Sequence, residues 1–483
     1  MLEFLKEHEL TILVVINYII VSSLVITILL KNINPTKTLS YIIILVFFPF
    51  LGILVYYLFG QEYRKEKIFN RKDILNKKVI KSVRQNLELS RSELKAIDIV
   101  LDEKIKLVKL LNTSENAPLT LHNDLKVLKN GEQKFEYLIQ DLQNAKHHIH
   151  LEYYILKDDI IGSKIIKLIC DKAKEGVEVR LSYDDVGSSI SKASKEKMKH
   201  SGVQFYPFMP VFFSSLTGKM NYRNHRKIVI IDGYIGYVGG INISDNYMNY
   251  DTTHYWRDTH LKVIGEAVQS LQIHFLTNWD FVSKDKLIIS EKYFPKIIIE
   301  KELPIQIAAS GPDTDWANIM EAIFTAINNA ESYIYITTPY FIPNEQIYTA
   351  LQVAAKSGIS VKLLIPKKSD SKIAKYATDS YLEDLLRANV KVYRYTKGFI
   401  HAKTIVIDDI FSTVGTSNMD NRSFNINFEI NALIYNKSKA IELKQMFEDD
   451  LCDSELVDFT EWENRSTIKK LKESISRLWA PLL

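Results

Sequence analysis

The sequence predicts an α/β protein of two similar lobes, preceded by a hairpin of two membrane-crossing helices. Three observations predict it. A short pattern, HxKxxxxD followed by GxxN, occurs twice without a gap. The segments leading to each copy alternate between helical and strand-like patterning in the same order. Near the start of the 483-residue chain stand two apolar stretches, each of about 20 residues, the length a helix needs to cross a bilayer.

The apolar stretches are residues 10–30 and 39–59, within a hairpin region 1–60. The first is broken only by Asn17, Ser22, Ser23 and a few threonines. Its leading residues, MLEFLKEHE, are acidic and no small-residue cleavage site follows, which argues against a removable secretory signal. The short connection KNINPTKT forces a hairpin. Lys6 precedes the first helix, and Arg64, Lys65, Lys67, Arg71 and Lys72 follow the second, against Lys31 and Lys37 in the loop. Basic residues outside the hairpin predict a multi-pass protein of the cytoplasmic membrane whose two lobes face the cytoplasm. The two cysteines, Cys170 and Cys452, lie far apart, as suits a reducing compartment rather than a disulfide framework.

Residues 61–116 are charged and helix-like, and read as a connector between membrane and first lobe. Residues 117–300 and 301–483 make the two lobes. In the first, a helical stretch at 135–145 leads to HHIHLEYYIL, a helical stretch at 162–174 and VEVRLSYDD. In the second, 319–330 leads to SYIYITTPYFI, 346–356 and ISVKLLIPKK. Each half thus reads helix–strand–helix–strand before its motif strand, which predicts a mixed β-sheet flanked by helices. The second lobe closes on a C-terminal helix. Ile468, Leu471, Ile475, Leu478 and Leu482 follow helical spacing there, with Lys469, Lys470, Lys472 and Arg477 on other faces and Trp479 beside them. This pattern suits an amphipathic helix on an anionic leaflet or a helix packed on the second lobe, and the packed helix is the expectation.

The first motif is His225, Lys227 and Asp232, then Gly239 and Asn242; the second is His401, Lys403 and Asp408, then Gly415 and Asn418. With only 11 histidines in the chain, a repeat in this register is not an accident of composition. Each motif opens a β-branched run, KIVIID or KTIVID, so alternation sets His and Lys on one strand face, with the aspartate at the far end. Two such strands brought together converge two imidazoles and two ammonium groups. Imidazole serves as nucleophile or general acid/base near neutral pH, and lysine supplies positive charge for a phosphoryl group. Paired histidines suit a double displacement, in which one attacks phosphorus while the other protonates the leaving alkoxide and then activates the incoming alcohol.

In this reading Lys227 and Lys403 hold the phosphoryl oxygens, and Asp232 and Asp408 orient and balance the lysine and histidine charges. Asn242 and Asn418 are candidate donors to phosphate oxygens, and Gly239, Gly240 and Gly415 allow close backbone approach. Neither motif has metal-ligand spacing, so neither a metal nor another cofactor is expected. His147, His148 and His150 with Glu152 look like a metal cluster. Alternation, however, sends His147 to the opposite face, and the segment reads as an ordinary core strand with Glu152 approaching the active site.

The paired motifs resemble the hallmark of the phospholipase D superfamily. ITTPYFIPNE, WRDTH, DNRSFNINFEIN and LWAPLL extend the resemblance, over essentially the whole chain, to the bacterial cardiolipin synthases. The resemblance implies one active site between two phospholipase D-like lobes and a phosphohistidine intermediate formed without metal. It implies His225 as nucleophile and His401 as general acid. It also implies an acidic hydrogen-bond partner for each imidazole, Glu429 for His401 and Asp258 for His225. The implied reaction joins two phosphatidylglycerol molecules into cardiolipin and glycerol, with phosphatidylglycerol and anionic membrane lipids as partners. A hydrolytic phospholipase D, a phosphatidyltransferase with another alcohol acceptor, and a membrane-tethered nuclease are the alternatives. A net charge of +4 falls short of a nucleic-acid footprint, so no nucleic acid partner is expected.

Overall fold

The structure is a computed structural model and describes residues 8–30, 35–59, 78–90, 92–93, 101, 104–115, 117–209, 222–283, 287–296 and 298–483. It divides into two compact units, one holding the apolar helices and the other the sheet.

In the first unit, residues 11–30 of the helix Glu9–Leu30 are long and apolar enough to cross a membrane. The second apolar stretch is two helices, Pro35–Phe47 and Pro49–Phe59, rather than the single helix expected. Pro49 has no N–H to donate, and its ring crowds the carbonyl four residues back, which interrupts the ladder. Hydrogen bonds from Phe48 N–H to Ile44 (2.8 Å) and from Gly52 N–H to Phe48 (2.6 Å) carry the chain across the break. A side chain at Gly52 would meet the Leu45 backbone at 2.6 Å, so glycine permits the tight bend. Val21, Ile28, Leu45 and Tyr56 form this unit's small core. Lys6, Lys31, Arg64, Lys65, Lys67, Arg71 and Lys72, on which the orientation rests, lie outside the described residues.

In the second unit the first half contributes β1 (Leu119–Lys129), β2 (His148–Tyr153), β3 (Glu178–Asp184), β4 (Gln204–Phe208), β5 (Lys227–Ile231), β6 (Ile235–Gly239), β7 (Trp256–Arg257) and β8 (Thr259–Gly265). The second half contributes β9 (Glu302–Ser310), β10 (Tyr333–Thr337), β11 (Phe341–Ile342), β12 (Ser360–Pro366), β13 (Lys391–Tyr395), β14 (Phe399–Ile400), β15 (Thr404–Ile407), β16 (Phe411–Gly415), β17 (Met419–Asp420), β18 (Glu429–Tyr435) and β19 (Ser454–Leu456). One mixed sheet runs through both halves, and the repeat seen in the sequence is a repeat of strand order. β1-β8-β6-β5-β2-β3-β4 is mirrored by β9-β18-β16-β15-β10-β12-β13, and antiparallel β1 and β9 join the two. The helices Asn130–Asn144, Ile160–Lys174, Asn318–Asn328 and Glu345–Lys356 fall where the periodicity placed them. Each half also inserts further helix and a sheet strand before its motif strand: one helix, Lys192–His200, with β4, and two, Lys372–Asp379 and Leu382–Arg387, with β13.

The motif strands are buried on both faces, which is why they are continuous β-branched runs rather than alternating ones. Ile228 and Ile230 face one core with Val268, Leu271 and Phe275 of the helix Ala267–Val282. Val229 and Ile231 face another with Phe135, Ile149 and Leu151. Residues read as a connector are instead part of the catalytic unit. Leu107, Val108 and Leu111 of the helix Ile105–Glu115 join the core of the second half, where Gln306 donates to the Val108 carbonyl (3.2 Å) and Glu115 accepts from Ala309 N–H (3.0 Å). An amphipathic helix needs a core to cover its stripe, and the sheet supplies it.

The histidine-rich strand is core, as alternation indicated. His148 Nε2 lies 3.2 Å from the Gln272 carbonyl, the Gln272 amide donates to His150 Nδ1 (2.9 Å), and His150 stacks on Phe275 with ring centroids 4.4 Å apart. Burial pushes His148 down to about 4 and His150 well below its ordinary value, so both stay neutral. The helix Thr467–Arg477 does pack on the second half, but through Glu473 and Ser476 rather than its apolar residues.

Candidate active site

β5 begins at Lys227 and β15 at Thr404, so both histidines stand ahead of the motif strands. The segments that carry them are held by the opposite half. Asn224 bridges in parallel to Phe428, and His225 N–H donates to the Phe428 carbonyl (3.0 Å). β14 pairs in parallel with β7, matching Ile400 to Arg257, and His401 N–H donates to the Arg257 carbonyl (2.7 Å). Each histidine is thereby fixed to the residue just before an acidic residue of the other half.

The side chains follow. His225 Nδ1–H donates to Glu429 at 2.9 Å, and His401 Nδ1–H donates to Asp258 at 2.7 Å. The assignment expected from the sequence, Glu429 to His401 and Asp258 to His225, is reversed. The physical reason is the pair of bridges between halves, which no spacing within one half encodes. Both carboxylates are fully buried, and each fixes its imidazole tautomer so that Nε2 remains for chemistry. Lys227 Nζ donates to the His225 carbonyl (2.6 Å), and Lys403 Nζ donates to the His401 carbonyl and stands 3.0 Å from both nitrogens of the His401 ring. The His and Lys of both motifs therefore converge with Glu429 and Asp258, and the charge of each motif's lysine is felt by the other motif's histidine.

Burial sets the charge state. It lowers His225 well below its ordinary value, aided by Lys227, Lys403 and Arg422. It lowers His401 to about 4, with Lys403 adding to the shift and Asp258 opposing it. It lowers Lys227 to about 7 and Lys403 to about 8, and raises Glu429 to about 7 against the pull of Lys227. An anionic phosphodiester beside the lysines would favour their protonated forms, and that of His401, by direct Coulomb attraction in a desolvated site.

The family model for "Cardiolipin synthase, PLD-like domain" matches residues 138–279 and 323–451. The chain belongs to the cardiolipin synthase family. A second model, the phospholipase D-nuclease N-terminal segment, matches residues 19–61. The chain is 41% identical over 461 residues to the cardiolipin synthase of Halalkalibacterium halodurans, covering 95% of this chain and 91% of that protein. It is 41% identical over 462 residues to cardiolipin synthase 2 of Bacillus anthracis, covering 94% and 88%. Among solved structures, phosphatidylserine synthase from Haemophilus influenzae Rd KW20 aligns with a TM-score of 0.61 over 78% of this chain and 100% of that one. At 15% identity that likeness shows a shared fold.

The aspartates of this family member's motifs are not where the expectation put them. A strand rises about 3.3 Å per residue, so the motif strand carries Asp232 about 16 Å beyond the lysine. Its carboxylate accepts from the backbone N–H groups of Lys146 (2.9 Å), His147 (2.7 Å) and His148 (3.0 Å). Asp408 does the same for Glu331 (2.9 Å), Ser332 (2.8 Å) and Tyr333 (3.0 Å), and pairs with Lys104 (3.4 Å). Both sit in the left-handed region, at φ 54° and 55°. They staple the end of the motif strand to the start of the neighbouring strand, and do not balance the lysine and histidine charges.

The asparagines and glycines also have other partners. Asn242 accepts from Ile155 N–H (3.1 Å) and donates to the Tyr247 hydroxyl (2.7 Å), which lies 3.4 Å from His401 Nδ1. Its amide thus positions Tyr247 with one of its two N–H groups. The Asn418 amide is likewise engaged, by the Asp420 carboxylate. A side chain on Gly240 would meet Asp258 Oδ1 at 2.1 Å, and one on Gly415 would meet Asn431 Oδ1 at 2.0 Å. Gly239, at φ 154°, lies against the His260 backbone. At each of these glycines the backbone closely approaches residues of the protein itself.

Several site residues escaped the sequence reading. Tyr154 stands edge-on to His225, with ring centroids 4.9 Å apart, and Trp256 and Phe399 lie 5.6 and 5.8 Å from the His401 ring. The backbone of Thr416, in the second GxxN loop, bonds His225 of the first motif. LEYYIL, WRDTH and the residues beside each motif contained these groups, but nothing in their spacing marks them. Glu152 reaches the site at one remove, accepting from Asn224 (2.7 Å), the residue before His225.

Proposed function

We propose that this enzyme transfers a phosphatidyl group from one phosphatidylglycerol to a second, releasing glycerol and forming cardiolipin, by way of phosphorylated His225. The observation that carries the reading is the pair of imidazoles, each held at Nδ1 by a buried carboxylate of the opposite half. Neutral His225 attacks phosphorus through Nε2, so a P–N bond forms as the P–O bond to glycerol breaks, and His401 gives its proton to the departing alkoxide. His401, now neutral, takes the proton from a hydroxyl of the second phosphatidylglycerol, whose oxygen displaces the histidine. Lys227 and Lys403 hold the non-bridging oxygens throughout, where charge stabilisation dominates phosphoryl transfer. One phosphodiester is exchanged for another, so no nucleotide is required.

The membrane arrangement proposed with it is multi-pass. The helix Glu9–Leu30 makes one crossing, residues 35–59 make a second that bends at Pro49, and the catalytic unit faces the cytoplasm. The basic residues flanking the hairpin in the sequence support that side.

Purified enzyme with labelled phosphatidylglycerol tests the reaction. Cardiolipin and glycerol are expected, in the presence of chelator as in its absence; phosphatidic acid as the only product would make the enzyme a hydrolase. Quenching during turnover and mapping the label under alkaline conditions should place it on the peptide containing His225. Label on the His401 peptide would reverse the two roles.

A further inference from the structure

The helix Thr467–Arg477 is packed with its polar side inward. Its one acidic residue, Glu473, is buried and paired with Arg465 (2.8 Å), which also holds Glu383 (2.7 Å). Lys469 lies over the Trp462 ring (4.3 Å to its centroid) and Arg477 over Tyr381 (4.3 Å). The opposite face, continuing past the helix end, carries Ile468, Leu471, Ile475, Leu478 and Trp479, exposed at 68, 59, 51, 78 and 51%. The helix Lys372–Asp379, which packs alongside, adds exposed Ile373 next to exposed Lys372, and Lys472 is exposed at the edge of the stripe.

A helix bounded by water hides such a stripe and shows its charges. Here a continuous apolar stripe with a lysine rim faces outward, and the only acid on the helix is neutralised within the protein. That combination fits the interface of an anionic bilayer, where apolar side chains reach the acyl boundary and lysines meet lipid phosphates.

The same segment is wired to the catalytic site. Arg422 N–H donates to the Leu483 carbonyl (2.9 Å), and Arg422 Nε to the Asn427 side-chain carbonyl (3.2 Å). Asn427 in turn donates to Glu429 (3.3 Å), the partner of His225.

We propose that this face seats the catalytic unit in the headgroup layer of an anionic leaflet, bringing the site of His225 to the surface that supplies its lipid. The proposal rests on the reading that the enzyme is membrane-embedded and acts on membrane phospholipid. The test uses the full chain, reconstituted in vesicles, in a Cys452→Ser background with Cys170 buried. Single cysteines replace Leu13, Lys167, Leu471 or Leu478 and carry an environment-sensitive fluorophore; the quencher is lipid bearing a nitroxide in its acyl chain. Quenching several-fold above the Lys167→Cys control is expected at Leu471→Cys and Leu478→Cys in vesicles containing phosphatidylglycerol, and less in vesicles of phosphatidylcholine alone.

Quenching at Leu13→Cys with none at either helix position overturns the proposal while the membrane-embedded reading stands. No quenching at Leu13→Cys overturns that reading, and the proposal with it. Equal quenching in the two lipids removes the role of anionic headgroups. A fluorescence shift that grows with protein-to-lipid ratio, without nitroxide quenching, assigns the face to a second copy of the chain and overturns the lipid assignment.

Discussion

His225 and Glu429 stand 204 residues apart in sequence, on opposite halves of the sheet, and their side chains meet at 2.9 Å. His401 and Asp258 repeat the relationship across 143 residues at 2.7 Å. Each catalytic histidine takes its carboxylate from the opposite half, so forming the interface between the halves is the same event as completing the active site.

Removing the charge from either carboxylate tests the crossed pairing. Glu429→Gln and Asp258→Asn should each lower kcat by about 10⁴, the loss seen when an imidazole loses the acid that fixes its tautomer. KM should change little, because the loss falls on the transition state. Steady-state kinetics on phosphatidylglycerol vesicles checks this, and a tenfold or larger rise in KM at unchanged kcat would contradict it.

The motif aspartates should behave as structural residues. Asp232→Ala and Asp408→Ala each strip the acceptor from three backbone N–H groups, at about 1–3 kcal/mol for those of buried His148 and Tyr333 and less for the exposed ones, where water takes over. Lower thermal stability and yield are expected, with kcat of the folded fraction within about threefold of wild type. A collapse of kcat at unchanged melting temperature would return these residues to the catalytic chemistry.

The lysines set the alkaline side of the pH profile. With Lys227 at about 7 and Lys403 at about 8, kcat/KM should fall as pH rises through that window and the phosphate-holding charge is lost. The limb in kcat should lie higher, because bound anionic substrate favours protonation. Stability runs the other way. Lys227 binds its proton more weakly folded than unfolded, so the wild type gains stability between pH 7 and the ordinary lysine value of 10.5. Lys227→Met should therefore abolish activity yet raise the melting temperature, most below pH 7, with the advantage fading towards 10.5.

Gly240 isolates a steric effect from backbone strain. Gly240 is not among the positive-φ glycines, but a methyl group there would lie 2.1 Å from Asp258 Oδ1. Gly240→Ala should push the carboxylate off His401 and lower kcat towards the Asp258→Asn level, with circular dichroism and melting temperature nearly unchanged. Wild-type kcat in a folded Gly240→Ala protein would mean that Asp258 moves without consequence.

Features that are local or periodic can be read along the chain without the fold. The two motifs, the helix and strand order before each, the β-branched strands between two cores and the first membrane-length helix were legible because each depends on neighbours a few residues apart. Pro49 was equally visible, although the apolar run around it masked the break it makes. Only the tertiary structure decided which acid serves which histidine, since the bridges from Asn224 to Phe428 and from Ile400 to Arg257 join segments that share no register in the chain. It decided, too, that Asp232 and Asp408 cap a neighbouring strand, because their partners are backbone N–H groups, which every sequence has. And it decided which way the helix Thr467–Arg477 faces. An amphipathic pattern has two sides, and burial of Glu473 and Ser476 against the second half turned the apolar one outward.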